Sequence, residues 1–419
     1  MKLAPTQWFS PPALRPWLSA LVFGVLAYFC ITGFSFYRDD NVQRVTSKIF
    51  AASATLLLAS ILGQAAHLEI PARQRWLIVA STCSVLASTL LAPHWPLALD
   101  RLQLYGSLAL FGLAVYLLHR DDDRPAAWPY LLAIGVVHAL VLIEVVFWML
   151  QVQAGDASLA RHMPYHYNVR HFGYLGYLAA ASAAALSWHS RRLAVTGFVL
   201  CVAALFGIVQ LGSRGALLGW LAFLSVGVVL MPHRLRLIAA AGSATALAFA
   251  ITTGLSALDL LSSDSLFARA QQGQLTGGTG RLQLWADVLR AIGERPWLGY
   301  GPDGHRVLGC CGAYGPYIAK TSQPHNVVLQ LLEEFGLIGT ILVGALAARL
   351  ARQQAKPRGW RTLARENEDI AALIAVLAGM LAFGLVDGPF YYPVPLMVLA
   401  ALGGLLMAAA HRAARAPRS

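Results

Sequence analysis

The sequence predicts an all-α polytopic membrane protein of about twelve transmembrane helices, with a long external loop that contains short helices. Composition is the first observation behind this prediction. Apolar residues make up 57% of the chain and charged residues 12%, and the mean hydropathy is +0.58. A soluble domain carries roughly 25% charged residues. Most of this chain is therefore surrounded by lipid or by other helices.

Apolar runs of spanning length are the second observation, since about 17 to 25 such residues cross a bilayer as a helix. They follow one another along almost the whole chain. The predicted spans are Trp17–Phe36, Thr46–Ala65, Trp76–Ala92, Pro96–Leu118, Trp128–Leu150, Phe172–Trp188, Leu193–Leu211, Ser213–Met231, Leu235–Leu255, Asn326–Ala348, Ile370–Asp387 and Tyr391–Ala410.

The distribution of Lys and Arg is the third observation. An even number of spans puts both termini on one side, and the short connections on that side carry most of the basic residues. The positive-inside rule makes that side cytoplasmic. We expect a multi-pass protein of the cell inner membrane in three parts. They are an N-terminal bundle of about nine helices (1–255), a periplasmic loop (256–325), and about three C-terminal helices with a cytoplasmic tail (326–419).

The net charge of +12 does not predict a nucleic-acid partner. The basic residues are dispersed between apolar runs and form no basic stripe, so membrane lipids are the expected surroundings. Cys30, Cys83 and Cys201 lie inside apolar runs, where we expect them to pack. Cys310 and Cys311 are adjacent in the external loop, and a small-residue turn is favoured there over a strained disulfide.

Two external arginines are candidate phosphate ligands. Arg214 lies in LGSRGA (211–216), where Ser213 reads as an N-cap and an apolar helix starts at once. A helix N-terminus and an arginine fork both suit phosphate. Arg281 follows TGGTG (276–280) and begins a short amphipathic helix predicted over Arg281–Ile292. The apolar face predicted for this helix consists of Leu282, Trp285, Val288 or Leu289, and Ile292. Snorkelling of Arg214 to lipid headgroups, or a solvated charge at Arg281, is the alternative.

His325 lies in TSQPHN (321–326), directly before a predicted span. Pro324 fixes the chain there, so we expect His325 at the external end of the helix. Histidine is the side chain best suited to proton transfer near neutral pH, which makes His325 a candidate base. The alternative is an interfacial histidine with an apolar body and a wet tip.

The external segment 161–171 concentrates histidine, arginine and tyrosine. Its candidate sugar or phosphate contacts are Arg161, His162, Arg170 and His171. A metal site is disfavoured because a proline separates its two most suitably spaced histidines and no cysteine or carboxylate completes a set.

Acidic residues in or beside spans leave alternatives open. Glu144 is either functional or protonated and hydrogen-bonded to a neighbouring helix. Glu333 and Glu334 either pair with an external arginine or mark a water-filled cavity. Asp387 precedes GPFYYP (388–393), and it either orients an arginine, binds sugar hydroxyls or is a plain helix-end charge. Tyr391 is grouped with it as a candidate substrate contact.

Several absences narrow the chemistry. No external Asp-x-Asp pair is present to hold a divalent metal against a diphosphate, and the sequence has no P-loop, G-x-S-x-G or H-E-x-x-H motif. We therefore predict neither a metal nor another cofactor. Arginines would then have to provide the positive charge that a metal provides elsewhere.

Three motifs in order make the chain resemble the O-antigen ligase and polymerase superfamily. They are GSRG at 212–215, then GR at 280–281 leading to PWLGYG at 296–301, and PHN at 324–326 with GLIG at 336–339. The resemblance covers roughly Phe198–Gly344 by motif and the whole chain by topology. Asn326 enters the candidate substrate contacts as part of the third motif.

The resemblance implies an inverting, metal-independent glycosyltransferase that acts on the periplasmic face. The implied donor is a glycan on undecaprenyl diphosphate, and in a ligase the acceptor is a sugar hydroxyl of lipid A-core, which completes lipopolysaccharide. Arg214 and Arg281 would stabilise the diphosphate, and His325 would activate the acceptor. An O-antigen polymerase or a protein O-oligosaccharyltransferase is the enzymatic alternative. A transporter of anionic lipids or solutes is the non-enzymatic alternative, although no repeat halves or paired broken helices favour it.

Overall fold

A computed structural model describes residues 11–32, 48–57, 72–122, 127–153, 169–189, 191–231, 234–258, 280–310, 321–355 and 358–415. Within these ranges every regular element is an α-helix. In chain order they are α1 (Pro11–Thr32), α2 (Lys48–Leu57), α3 (Ala72–Leu90), α4 (Trp95–His119), α5 (Ala127–Gln153), α6 (Val169–His189), α7 (Arg191–Gln210), α8 (Arg214–Leu230), α9 (Arg234–Ala257), α10 (Arg281–Glu294), α11 (Gly304–Cys310), α12 (Val327–Ala355), α13 (Trp360–Glu366), α14 (Glu368–Gly384) and α15 (Pro393–Arg415).

The prediction of a polytopic all-α membrane protein is confirmed. Six helices in the described ranges, namely α4, α5, α7, α9, α12 and α15, are long and apolar enough to cross a membrane. Each predicted span overlaps a helix. Of these overlapped helices, six lack this length and hydropathy, namely α1, α2, α3, α6, α8 and α14. The full number of crossings therefore stays a prediction.

Helix α6 is the centre of the bundle. Every residue from 171 to 186 is buried, and this stretch is rich in alanine. Small side chains let neighbouring backbones approach closely, which is how helices associate when lipid removes the usual hydrophobic drive. Helices α5, α7, α8 and α14 all pack against α6. The start of α6 thereby lies among the elements that carry the candidate site.

Glycines set the closest helix contacts. Where α8 meets α14, a Cβ on Gly219 would lie 2.9 Å from the carbonyl oxygen of Gly379, and a Cβ on Gly379 would overlap the Tyr177 hydroxyl. Where α4 meets α15, a Cβ on Gly404 would overlap the carbonyl oxygen of Gly112. These two helix pairs therefore depend on the absence of a side chain at the crossing.

Helix α12 is broken at Gly336, whose φ of 63° and ψ of −171° are not helical. The segment 296–301 fills the break. Tyr300 and Gly301 donate their main-chain N–H groups to the carbonyls of Glu333 (2.8 Å) and Glu334 (2.9 Å). In return, the amides of the two residues after the glycine donate to the carbonyls of Pro296 and Trp297. Irregular backbone at membrane depth requires such protein partners.

This exchange explains why PWLGYG and GLIG occur together in the sequence. The first motif supplies the hydrogen bonds that the second motif loses at its break. Transporters commonly have a pair of broken helices. The described part of this chain has a broken helix in α12, which is packed by segment 296–301, and no second broken helix there pairs with it.

Helix α10 begins at Arg281 as predicted and ends two residues later than predicted, at Glu294. The prediction of its buried face was wrong in part. Leu284, Val288 and Ala291 form the buried stripe and pack on Tyr300 and Leu308. Leu282, which was predicted on the buried face, is 78% exposed, because the face of α10 that packs on Tyr300 and Leu308 is the one with Leu284, Val288 and Ala291.

Glu144 accepts a hydrogen bond from the Tyr28 hydroxyl at 3.0 Å, so it bonds to a neighbouring helix, α1. Of the two alternatives, the structure therefore places Glu144 in a helix-to-helix contact. Ser213 occupies the N-cap position of α8 as predicted, but its side chain makes no capping hydrogen bond. The reason is that Ser213 is buried against Gly173 of α6, where its hydroxyl packs between helices.

Candidate active site

His325 sits at the start of α12 in a constrained segment. Its φ of 55° is left-handed, a backbone conformation that non-glycine residues adopt rarely and that clusters at functional sites. The Trp285 indole donates to the carbonyl of Pro324 at 2.9 Å, which ties the segment to α10. Gln323 accepts the main-chain N–H of His325 at 2.7 Å. Neighbouring elements thus hold the histidine on both sides.

Asn326 completes this hold. Its side-chain oxygen accepts the amides of Val328 (2.9 Å) and Leu329 (3.1 Å), which caps α12. Its side-chain nitrogen donates to the carbonyl of Leu385 at 2.9 Å, two residues before Asp387. Asn326 is a predicted substrate contact, and the structure shows both ends of its side-chain amide bonded to the protein.

Asp387 is the hub of the site. One carboxylate oxygen accepts from the Tyr174 hydroxyl (2.8 Å), the Gly388 amide (2.9 Å) and Nδ1 of His325 (2.9 Å). The other oxygen accepts from Arg281 at 3.0 Å in an ion pair. Of the alternatives left open for Asp387, the structure shows the one in which it orients an arginine, and adds the histidine.

The arrangement decides where the histidine carries its proton. A carboxylate that pairs with arginine is ionised, so a lone pair on Nδ1 facing it at 2.9 Å would be repelled. We therefore assign the neutral tautomer with hydrogen on Nδ1, even though Nε2 of Gln323 also lies 2.7 Å from that nitrogen. Nε2 of His325 then carries the lone pair that a base needs.

Arg281 reaches Asp387 from the first residue of α10. Gly280 precedes it with a φ of 68°, a left-handed turn that directs the chain into the helix. The side chain of Arg281 remains 24% exposed although it pairs with Asp387. A guanidinium has five N–H donors, so a bond to Asp387 is compatible with bonds to a phosphate.

Arg214 lies at the same end of the bundle. It is the exposed first residue of α8. A Cβ on the next residue, Gly215, would overlap the ring of Phe383. Phe383 lies near the end of α14, four residues before Asp387. The start of α8 is therefore packed directly beside the element that leads to the hub.

The remaining predicted substrate contacts are either buried or outside the described side chains. His171 is buried at the start of α6, with its ring 4.0 Å from the Tyr392 ring. Arg170 lies in α6, and its side chain is outside the described part, as are Arg161 and His162. Tyr391 is buried, and its hydroxyl donates to Asp303 at 2.6 Å.

Glu333 and Glu334 each bond inside the protein. Glu333 is fully buried and contacts Nδ1 of His305 at 2.9 Å. Nε2 of His305 lies 2.9 Å from the Thr321 hydroxyl, so this pair anchors the start of the histidine segment. The partner of Glu333 is thus a histidine, whereas the sequence analysis considered an arginine. Glu334 accepts from the Tyr105 hydroxyl at 2.9 Å.

Sequence reasoning missed Tyr174, His305 and Arg101. Arg101 is almost fully buried within α4, a candidate span. A charge inside a membrane segment is a functional candidate by default, so this signal was available. Tyr174 and His305 carry no comparable signal, because tyrosine and histidine are common beside spans and only the fold brings them to Asp387 and Glu333.

The geometry brings together a histidine, a carboxylate that orients it and the arginine at the start of α10, and a second arginine begins α8. Within the described ranges no group of three or more His, Cys, Asp or Glu side chains is placed to hold a metal. Metal independence itself stays a prediction. The arrangement suits activation of a hydroxyl beside an anionic group.

Comparison with known proteins matches the region that contains this geometry. A family model described as O-antigen ligase matches residues 199–344, which include Arg214, Arg281 and His325. Residues 199–344 are therefore similar to the O-antigen ligase family. The resemblance inferred from the motifs over roughly Phe198–Gly344 is confirmed. Asp387 lies beyond the matched residues, so its place in the site comes from the structure.

A curated O-antigen ligase of Pseudomonas aeruginosa is 33% identical to this chain over 119 residues. The matched stretch is 28% of this chain and 27% of that ligase, so the chain spans about a quarter of the length of the curated relative it matches. The similarity covers the part of the chain that carries Arg214, Arg281 and His325, and the described helices fit a multi-pass membrane protein.

Proposed function

We propose that this protein is an inverting, metal-independent glycosyltransferase of the O-antigen ligase type. It transfers an O-antigen glycan from undecaprenyl diphosphate to a sugar hydroxyl of lipid A-core. The observation that carries the proposal is the bond between Nδ1 of His325 and Asp387, with Arg281 on the opposite oxygen of the same carboxylate. A transporter would need the arginines to bind an anion but would have no use for an oriented base.

In the proposed reaction, Nε2 of His325 removes the proton from the acceptor hydroxyl. The acceptor oxygen attacks the anomeric carbon of the donor sugar, a new C–O bond forms, and the bond from that carbon to the diphosphate breaks with inversion. The leaving diphosphate takes the electron pair, and Arg214 and Arg281 stabilise its charge. Asp387 stabilises the imidazolium that forms, as a carboxylate does beside a catalytic histidine.

The proposed site faces the periplasm of the cell inner membrane, and both termini are cytoplasmic. Basic residues in the short connections support this orientation. In this topology of about twelve spans, α8 and α12 begin at the outer face and α14 ends there, which puts Arg214, His325 and Asp387 on one surface. Lipid-linked substrates would enter laterally from the bilayer.

The test separates donor binding from transfer. Replacing Arg214 with Lys keeps one charge but loses the planar fork, and should weaken donor binding markedly. His325→Ala should leave donor binding largely intact and slow transfer by about 10²- to 10⁴-fold, the usual range for loss of a general base. Both variants are measured for binding of undecaprenyl-diphosphate glycan and for the rate of ligation. Wild-type transfer by His325→Ala would overturn the base assignment.

A deletion strain separates a ligase from a polymerase. Loss of all O-antigen from the core, with lipid-linked polymer accumulating, is the expected result for a ligase. A single repeat still attached to the core would instead assign the chain as a polymerase. Unchanged lipopolysaccharide with a defect in protein glycosylation would favour the protein oligosaccharyltransferase alternative.

A further inference from the structure

A buried polar network underlies the loop that carries Asp387. The loop runs from the end of α14 to the start of α15, and Tyr391 lies four residues after Asp387. The Tyr391 hydroxyl donates to Asp303 at 2.6 Å, and its carbonyl accepts from the guanidinium of Arg101. The same guanidinium carbon lies 4.1 Å from the centre of the Tyr391 ring. One tyrosine thus makes three separate contacts to the network.

The network costs free energy, because it holds charged side chains away from water. Arg101 and Asp303 are both almost fully buried, and Asp303 has a left-handed φ of 63°. Burial raises the pKa of Asp303, while Arg101, the Tyr391 hydroxyl and Arg306 act in the opposite direction. Charged groups are buried at this depth only when partners compensate the lost hydration. Tyr391 contributes to this compensation at both groups, because its hydroxyl bonds to Asp303 and its carbonyl bonds to Arg101.

The loop is held on its other side by aromatic packing. The Tyr392 ring stacks on Tyr174 with centroids 5.4 Å apart, and Tyr174 also donates to Asp387. Tyr391 and Tyr392 therefore pin the loop to opposite neighbours. A carboxylate that must meet both a histidine and an arginine within 3.0 Å needs such a rigid support, because small misplacements are costly in catalysis.

We propose that Tyr391 is a positioning residue, which holds the Asp387 loop through Asp303 and Arg101 so that the carboxylate meets His325. The inference rests on the proposed function, since it assigns a step to His325. It also differs from the sequence prediction, in which Tyr391 contacts substrate. Tyr391 acts through Asp387 and touches neither donor nor acceptor.

The test uses Tyr391→Phe, which removes the bond to Asp303 and keeps the ring over Arg101. We expect the transfer rate at saturating substrate to fall about 10-fold to 100-fold, with KM for the donor unchanged. Tyr177→Phe is the matched control, because it removes another buried tyrosine hydroxyl, bonded to the Val376 carbonyl at 2.7 Å. The control should lose thermal stability to a similar degree and keep the wild-type transfer rate.

A double-mutant cycle with His325→Ala separates positioning from folding. If Tyr391 acts through the histidine, Tyr391→Phe should slow the wild type but leave the residual rate of His325→Ala unchanged. An equal fractional loss in both backgrounds would overturn the inference. A raised KM for the donor with an unchanged maximal rate in Tyr391→Phe would also overturn it, because Tyr391 would then be a substrate contact.

Asp303→Asn keeps the test decisive if Tyr391→Phe folds poorly. Asparagine tolerates the left-handed backbone and keeps a weaker acceptor for the tyrosine hydroxyl. It should slow transfer in the same direction by a smaller factor, again only when His325 is present; wild-type rates would contradict the proposal. Wild-type protein without any transfer activity would instead refute the proposed function, so the two failures are distinguishable.

Discussion

At the scale of single residues, the site depends on one carboxylate with four donors. Tyr174, His325, Gly388 and Arg281 come from four parts of the chain and converge on Asp387. Each donor favours the ionised carboxylate, and the ionised carboxylate in turn sets the histidine tautomer. The chemistry of His325 is therefore inseparable from a residue 62 positions away.

Replacing Asp387 with Asn should impair catalysis far more than its small change in shape suggests. The amide no longer requires hydrogen on Nδ1 and no longer pairs with Arg281, so transfer should slow by about 10²-fold or more. Glu144→Gln is the control, since it removes a carboxylate bonded to Tyr28 and should leave transfer unchanged. Equal transfer rates for the two variants would refute the role given to Asp387.

At the scale of elements, the break in α12 links two distant motifs. Gly336 interrupts the helix, and the segment 296–301 supplies the missing hydrogen bonds. The same segment follows α10, whose first residue is Arg281. The contact at the break joins α12, which begins beside His325, to the segment after α10, which begins at Arg281. It therefore helps to position both of these residues.

Gly336→Ala should destabilise the protein by about 2 to 4 kcal/mol. Its φ of 63° and ψ of −171° lie in a region that only glycine adopts readily, and a Cβ there would overlap the carbonyl of Trp297. Gly344→Ala in the same helix is the control, since nothing lies within 4 Å of its Cβ position. The control should change stability by at most about 1 kcal/mol. Unfolding in detergent measures both, and equal stabilities would contradict the explanation.

At the scale of the whole molecule, the orientation in the membrane is the main prediction. A reporter that is active only in the periplasm, fused near Gly277, should be active, because the long loop is expected outside. The same reporter fused at Arg358 should be silent. The reverse pattern would invert the topology and place the site in the cytoplasm.

The whole enzyme should also work without a divalent metal. Arginines at the starts of α8 and α10 provide the positive charge that a metal supplies to diphosphates elsewhere. Purified protein should keep its transfer rate in EDTA. Loss of activity in EDTA with recovery on added magnesium would refute the arginine-only mechanism.

The sequence by itself determined the membrane class, the order of the helices and the candidate site residues. Composition and periodic apolar runs are local properties, so each predicted span overlaps a helix and Arg281 begins α10 as expected. Arg214, Arg281 and His325 were recognisable because each lies at or directly before the start of a predicted helix and has a side chain suited to phosphate binding or proton transfer. Even here, a helical stripe alone did not reveal which face of α10 is buried.

Only the tertiary structure decided which residues act together. Asp387 was one of several acids with equal sequence signals, and it became the hub because α14 ends where α6, α10 and α12 begin. Tyr391 changed from a presumed substrate contact to a buried support for the same reason. Spacing along a chain reports neighbours within one helix, whereas the partners of these side chains come from other helices, and only packing brings them within hydrogen-bonding distance.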